Sequence, residues 1–159
     1  MAVILNPSEE GITHINVYSK SNLEIGRMLS NFYKCEINIP DGKFLSVEAY
    51  WYYLELSEEV EERDILRNLY GYDAKKTGQD LIKKYGQVEV PNFEEKISEA
   101  IFQKFFMNKD MLLANEKYLS LPFEHYYNYN GKIVDVKDKY KWMIDNINYM
   151  RGWIIDNIL

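Results

Sequence analysis

Between Cys35 and Leu54 the hydrophobic pattern changes its period once, and that change limits what the chain can build. Cys35, Ile37 and Ile39 alternate with Glu36 and Asn38, the period of two expected of a half-buried strand. Pro40-Asp41-Gly42 marks a turn, and Lys43-Phe44-Leu45 supplies the returning strand of a β-hairpin. Ser46 is then a good helix N-cap, because its hydroxyl can accept from the unpaired N–H groups of a first turn. Val47, Tyr50, Trp51 and Leu54 follow at the spacing of an apolar helix face, with Glu48, Tyr52 and Glu55 on the neighbouring face.

The flanking segments point to the same class. Ile12 to Tyr18 alternates as a strand, with Ile12, His14 and Asn16 set against Thr13, Ile15 and Val17. SKSNLEIGR reads as a loop by its Ser, Asn and Gly content. A charged helix is expected from about Glu58 to Tyr70, and a short helix, AKKTGQDLIKKY, capped by Asp73 and ended by Gly86. Asn92 and Glu95 resemble a capping box opening a central helix with Phe93, Ile97, Ile101 and Phe105 as its apolar stripe, ending near Asn108. A short helix at about Asp110 to Asn115 precedes a second hairpin, Phe123 to Val136, turning at Asn130-Gly131. Its first strand sets Phe123, His125, Tyr127 and Tyr129 on one side. From about Asp138, Met143, Ile144, Ile147, Ile154 and Ile158 describe a closing amphipathic helix. The expected fold is α+β, a helix-rich single domain over 1–159 with short antiparallel pairs.

Length and charge narrow the partners. A chain of 159 residues buries a sizeable core without disulfides or a structural metal. One cysteine and two histidines leave no Cys/His metal set, and no cofactor is expected. The N-terminal MAVIL is too short for a signal-peptide core, and no apolar run approaches the ~18 residues of a membrane span. A reducing, cytoplasmic setting without membrane contact follows. The net charge of −6 argues against a broad duplex-DNA footprint but leaves room for recognition of a single extruded nucleotide. Fourteen tyrosines alongside abundant Asn, Ile and Lys fit an AT-rich coding sequence as readily as selection for stacking.

Residue chemistry singles out the two sides of the first hairpin. Glu48 falls in the first helical turn, where the helix dipole favours the ionised carboxylate; it stabilises the helix start, an oxocarbenium-like ribose, or both. On that reasoning it is less suited to act as a general acid. Asn31, Phe32 and Tyr33 form either a buried turn or an amide-and-ring pocket for a sugar and a flat base. His125 beside Glu124 suggests acid–base work, yet adjacent strand residues point to opposite faces. Arg27 is placed to clamp a pyrophosphate, and Lys75, Lys76, Lys83 and Lys84 either attract phosphates or form a solvated face.

The segments YSKSNLEIGRMLSNFY, INIPDGKFLSVEAYWYY, DAKKTG and ISEAIFQKFFMNKDMLL resemble, in order and spacing, the NADAR (NAD and ADP-ribose) or YbiA-like family, over about Tyr18 to Leu113. The resemblance implies a divergent, phage-type N-glycosidase or ADP-ribosyl hydrolase of helix-rich α+β fold. Its ligand would be a nucleotide carrying an ADP-ribose moiety, with ADP-ribosylated guanine in single-stranded DNA as one substrate. It also implies Glu48 as the motif carboxylate. Ser30, Asn31, Phe32, Tyr33, Tyr52 and Arg27 would bind substrate, joined by Lys104, Glu124 and Trp142.

Three positions depart from the family pattern. Ala49 stands where the family has histidine, Glu55 where it has a lysine, and Met143 replaces a glycine after Trp142. If the family lysine is a Schiff-base nucleophile, three readings follow: Glu48 and Glu55 act through water, a lysine from elsewhere substitutes, or the chain binds an ADP-ribose or NAD-derived nucleotide without cleaving it. A module that docks proteins through exposed tyrosines is a further expectation.

Overall fold

The computed structural model describes residues 5–158, so all but the last residue of MAVIL lies outside the described residues. In chain order the elements are β1 (Ile15–Asn16), α1 (Glu24–Leu29), β2 (Ile37–Ile39), β3 (Gly42–Phe44), α2 (Val47–Glu55), α3 (Gly71–Tyr85), α4 (Phe93–Met107), α5 (Lys109–Ala114), β4 (Phe123–Glu124), β5 (Tyr126–Tyr129), β6 (Lys132–Asp135) and α6 (Lys141–Asn157). Helices dominate and the strands form short pairs, an α+β arrangement. The chain divides into two compact units, residues 31–107 and, from both ends, residues 5–30 with 108–158. No helix among the described residues is long and apolar enough to cross a membrane.

In the unit 31–107, β2 and β3 pair antiparallel with Ile37 opposite Phe44, as the alternation requires. Gly42 turns the hairpin at φ +113°, where a side chain would also crowd the Arg67 guanidinium. Phe44 is fully buried, with its ring 4.9 Å from those of Tyr50 and Tyr53. Arg67 lies 4.7 Å from both the Phe44 and Tyr53 rings and donates to the Tyr53 hydroxyl at 2.8 Å. Ile97, Ala100, Ile101 and Phe105 of α4 are buried, and Phe93 meets Trp51 edge to face at 4.9 Å.

The punctuation of this unit differs from expectation in two places. Glu58 to Tyr70 contains a 3-10 helix, Glu61–Asn68, rather than an α-helix. Helix α3 begins at Gly71, not after Asp73, because the Gly71 N–H is taken by the Phe32 carbonyl at 3.0 Å; it ends at Gly86 as expected, with φ +86°. Asn92 stands directly before α4, as expected, with φ +61°, and its carbonyl accepts from the Lys96 N–H.

In the unit formed by the two ends, Ile15–Asn16 pairs parallel with Phe123–Glu124. That pairing shortens the strand expected over Ile12 to Tyr18, whose Ile12 is exposed. It also removes Phe123–Glu124 from the second hairpin, which is confined to β5 and β6 and turns at Asn130 (φ +52°) and Gly131 (φ +94°). The Asn16 amide bridges the break between β4 and β5, donating to the Tyr126 carbonyl and accepting its N–H, both at 3.0 Å. SKSNLEIGR is not all loop, since α1 starts at Glu24. Gly26 lies inside α1 because a Cβ there would overlap the Ser21 hydroxyl and the Asn16 carbonyl, so this glycine serves close packing rather than a turn. Met143, Ile144, Ile147 and Ile154 form the buried face of α6.

Candidate functional site

The start of α2 is held from two directions. The fully buried Ser46 hydroxyl accepts from the Ala49 N–H at 3.1 Å and donates to the Leu69 carbonyl at 3.0 Å. The N–H of Glu48 donates to the Asn31 carbonyl at 2.9 Å, and the next carbonyl, that of Phe32, receives the first N–H of α3. Residues 31 and 32 therefore join the N-terminal ends of both helices through their main chains. The sequence suggested that Asn31 and Glu48 would meet through side chains around a ligand; the hydrogen bond that joins them runs through the main chain.

Glu48, Trp51, Tyr52 and Glu55 recur along one face of α2, and all four are half-buried. Tyr52 is set against α3 at Gly78, where any Cβ would overlap its ring. Lys104, on α4, is buried completely. The same unit therefore holds Asn31, Phe32, Tyr33, Glu48, Tyr52, Glu55 and Lys104 from the expected set.

Burial decides the charges. It lifts the Glu48 carboxyl from an ordinary 4.5 to about 7, opposed by Lys75, reinforced by Glu55 and opposed again by Lys104. The helix dipole was expected to keep Glu48 ionised, but loss of solvent outweighs that field, and both protonation states are populated near neutrality. Burial likewise lowers the Lys104 ammonium from 10.5 to about 7, against the opposing pull of Cys35 and Glu48. Glu55 is also raised by burial, against hydrogen bonds from Trp51 and Gln87. Its main-chain carbonyl accepts the Val88 N–H at 2.9 Å, so Glu55 ties the segment after α3 to the end of α2.

Arg27, Ser30, Glu124 and Trp142 belong to the other unit. Arg27 donates to the Ser21 carbonyl at 2.8 Å, steadying the turn before its own helix. Ser30 is buried and caps α1 through a backbone bond to Arg27. Glu124, on β4, accepts from Lys137 at 3.3 Å, and Trp142 is half-buried in the first turn of α6. His125 donates through Nδ1 to the Val17 carbonyl at 2.6 Å, and burial lowers its proton affinity. His14 and the Tyr126 hydroxyl meet at 2.6 Å inside the same unit.

Sequence reasoning missed Gly78 as the seat of Tyr52 and Gln87 as a partner of Glu55. The first had a signal, since Gly78 sits inside a helix-forming run where glycine costs about 1 kcal/mol and so implies close approach. The second had none, because Gln87 is 32 residues from Glu55. Among the described residues, no three His, Cys, Asp or Glu side chains are grouped to hold a metal ion. No family model matches the chain, and neither the curated proteins nor the solved structures contain a significant match.

Proposed function

We propose that the chain is an N-glycosidase of NADAR or YbiA-like type, cleaving the ribose–base bond of an ADP-ribose-like compound or an ADP-ribosylated guanine in single-stranded DNA. The observation that carries this reading is Glu48, a half-buried carboxyl poised at about 7 beside Tyr52 and within the field of two lysines. Breaking the C1–N bond leaves the electron pair on the base nitrogen, which needs a proton, and positive charge on the sugar, which needs a base-activated water. A carboxyl that titrates near neutrality serves both needs in sequence. Protonated, Glu48 donates to the departing base; ionised, it stabilises the oxocarbenium-like sugar and draws the proton from water.

Lys104 supplies an amine in place of the family lysine whose position Glu55 occupies. Its lowered proton affinity keeps a substantial neutral fraction at pH 7, as an amine nucleophile or proton acceptor requires. Tyr52 offers a ring for the base or sugar. Glu48→Gln is expected to abolish release of base or ADP-ribose, measured by mass spectrometry on NAD, ADP-ribose and ADP-ribosylated guanine DNA. The variant should fold at least as stably as the parent, since it removes a buried ionisable group. Activity that survives, or a variant that unfolds, refutes the role of Glu48.

One observation favours a second reading, a protein that sequesters an ADP-ribose-type nucleotide without cleaving it. Glu55 is occupied by Trp51 and Gln87 rather than presented as a second catalytic carboxylate. Tight binding with the nucleotide recovered intact selects this reading over catalysis.

A further inference from the structure

Lys75 differs from its neighbours on α3. Lys76 bonds Asp80 across one helical turn at 3.2 Å, and Lys84 bonds Glu62 at 2.9 Å. Lys83 is exposed. Lys75 is half-buried and, among the described residues, forms no hydrogen bond, ion pair or ring contact. The helix packing shows where it lies. Three residues further along α3, Gly78 meets the Tyr52 ring; one turn back along both helices come Lys75 and Glu48, close enough for each charge to act on the other. An ammonium without a bonded partner, a carboxyl and an aromatic ring thus occupy adjacent places on the facing sides of α2 and α3.

We propose that Lys75 anchors an anionic group of the ligand, a phosphate or pyrophosphate, so that the adjoining part of the ligand is delivered to Glu48. The inference rests on the reading of the site as one for a nucleotide-like compound, and adds which residue takes the charge. Lysine suits this task as a compact cation with three donors for phosphate oxygens. Binding also couples to chemistry. Glu48 is faced by Lys75 from α3, by Lys104 from α4 and by Glu55 from its own helix. A phosphate that neutralises Lys75 removes the larger of the two pulls toward the carboxylate, and so loads Glu48 with the proton that a departing base requires.

The test is calorimetric titration of the full chain, Lys75→Gln and Lys75→Arg with ADP-ribose, inorganic pyrophosphate and adenosine. The expected result is that Lys75→Gln weakens ADP-ribose and pyrophosphate about 10- to 100-fold, that Lys75→Arg restores most of the loss, and that adenosine is indifferent to both changes. Equal ADP-ribose affinity in the parent and Lys75→Gln overturns the proposal while leaving the glycosidase reading standing. Absence of binding by both phosphate compounds to the parent overturns it as well. Lys75-dependent binding of ADP-ribose that is never cleaved supports the anchor and removes only the glycosidase reading.

Discussion

Replacing Lys104 by methionine should stabilise the protein at neutral pH and erase half of a V-shaped stability profile. The folded state holds Lys104 at about 7 against an ordinary 10.5, so between those values the unfolded chain binds the extra proton. Stability therefore rises with pH across that window, and at about 1.36 kcal/mol per decade the full penalty below pH 7 is about 5 kcal/mol. Glu48 works in the opposite sense. Its folded value of about 7 exceeds the ordinary 4.5, so the folded state binds the extra proton, and stability falls by about 3 kcal/mol as pH rises from 4.5 to 7. The two limbs meet near pH 7, where the parent should be about 2 kcal/mol less stable than at pH 5 or pH 9. Lys104→Met removes the alkaline limb and raises stability at pH 7 by several kcal/mol, on the order of 4. The acid limb remains and moves to higher pH, because Glu48 loses one of its two cationic neighbours. Urea unfolding of parent and variant from pH 5 to 9 measures the difference directly. A variant curve that parallels the parent across pH 7 to 9, or that lies below it throughout, refutes the account of Lys104 as a buried amine held near neutrality.

Two further substitutions probe how the site is held. Ser46→Ala leaves the Ala49 N–H and the Leu69 carbonyl without their buried partner, and should cost about 2 kcal/mol or more in chemical denaturation; a loss below about 0.5 kcal/mol would show that the cap is not what fixes the start of α2. Gly78→Ala forces the Tyr52 ring from its seat, and should cost about 1–3 kcal/mol where an ordinary helical Gly→Ala change gains about 1. The double change with Tyr52→Ala should recover much of the loss, and failure to do so places the strain elsewhere.

The local period of the chain made most elements legible. The first hairpin, α2 with its Ser46 cap, the stripe of α4 and the Asn130-Gly131 turn all follow from residues near one another in sequence. Misreadings arose where a distant partner overrode a local signal. Gly26 looked like a loop residue because its reason for being glycine, the Asn16 carbonyl and Ser21, belongs to packing. Phe123 and Glu124 fitted the second hairpin by alternation, but β1, more than 100 residues earlier, takes them instead. Asp73 was the better helix cap by type, yet α3 opens three residues sooner, at Gly71, whose N–H meets the Phe32 carbonyl.

The candidate site shows the same division more sharply, because its chemistry depends on burial, and no local pattern reports burial of a charged side chain. Glu48 could be named from its place in α2, but its position in a first helical turn argued for a permanent carboxylate. Only the packing of α3 and α4 reverses that conclusion, by removing the solvent on which ionisation depends. Lys104 illustrates the complementary case. Its sequence neighbours Phe105 and Ile101 describe an apolar helix face, and a lysine next to such a face ordinarily reaches past it into water. Here it does not, and its ammonium loses proton affinity instead. Both groups are kept where each is destabilising on its own, one disfavoured when ionised and the other when protonated. A fold optimised for stability alone would replace them with apolar residues of similar size. That the chain retains both, each in the field of the other and Glu48 also in that of the unbonded Lys75, is the physical reason for proposing a site on this face of α2.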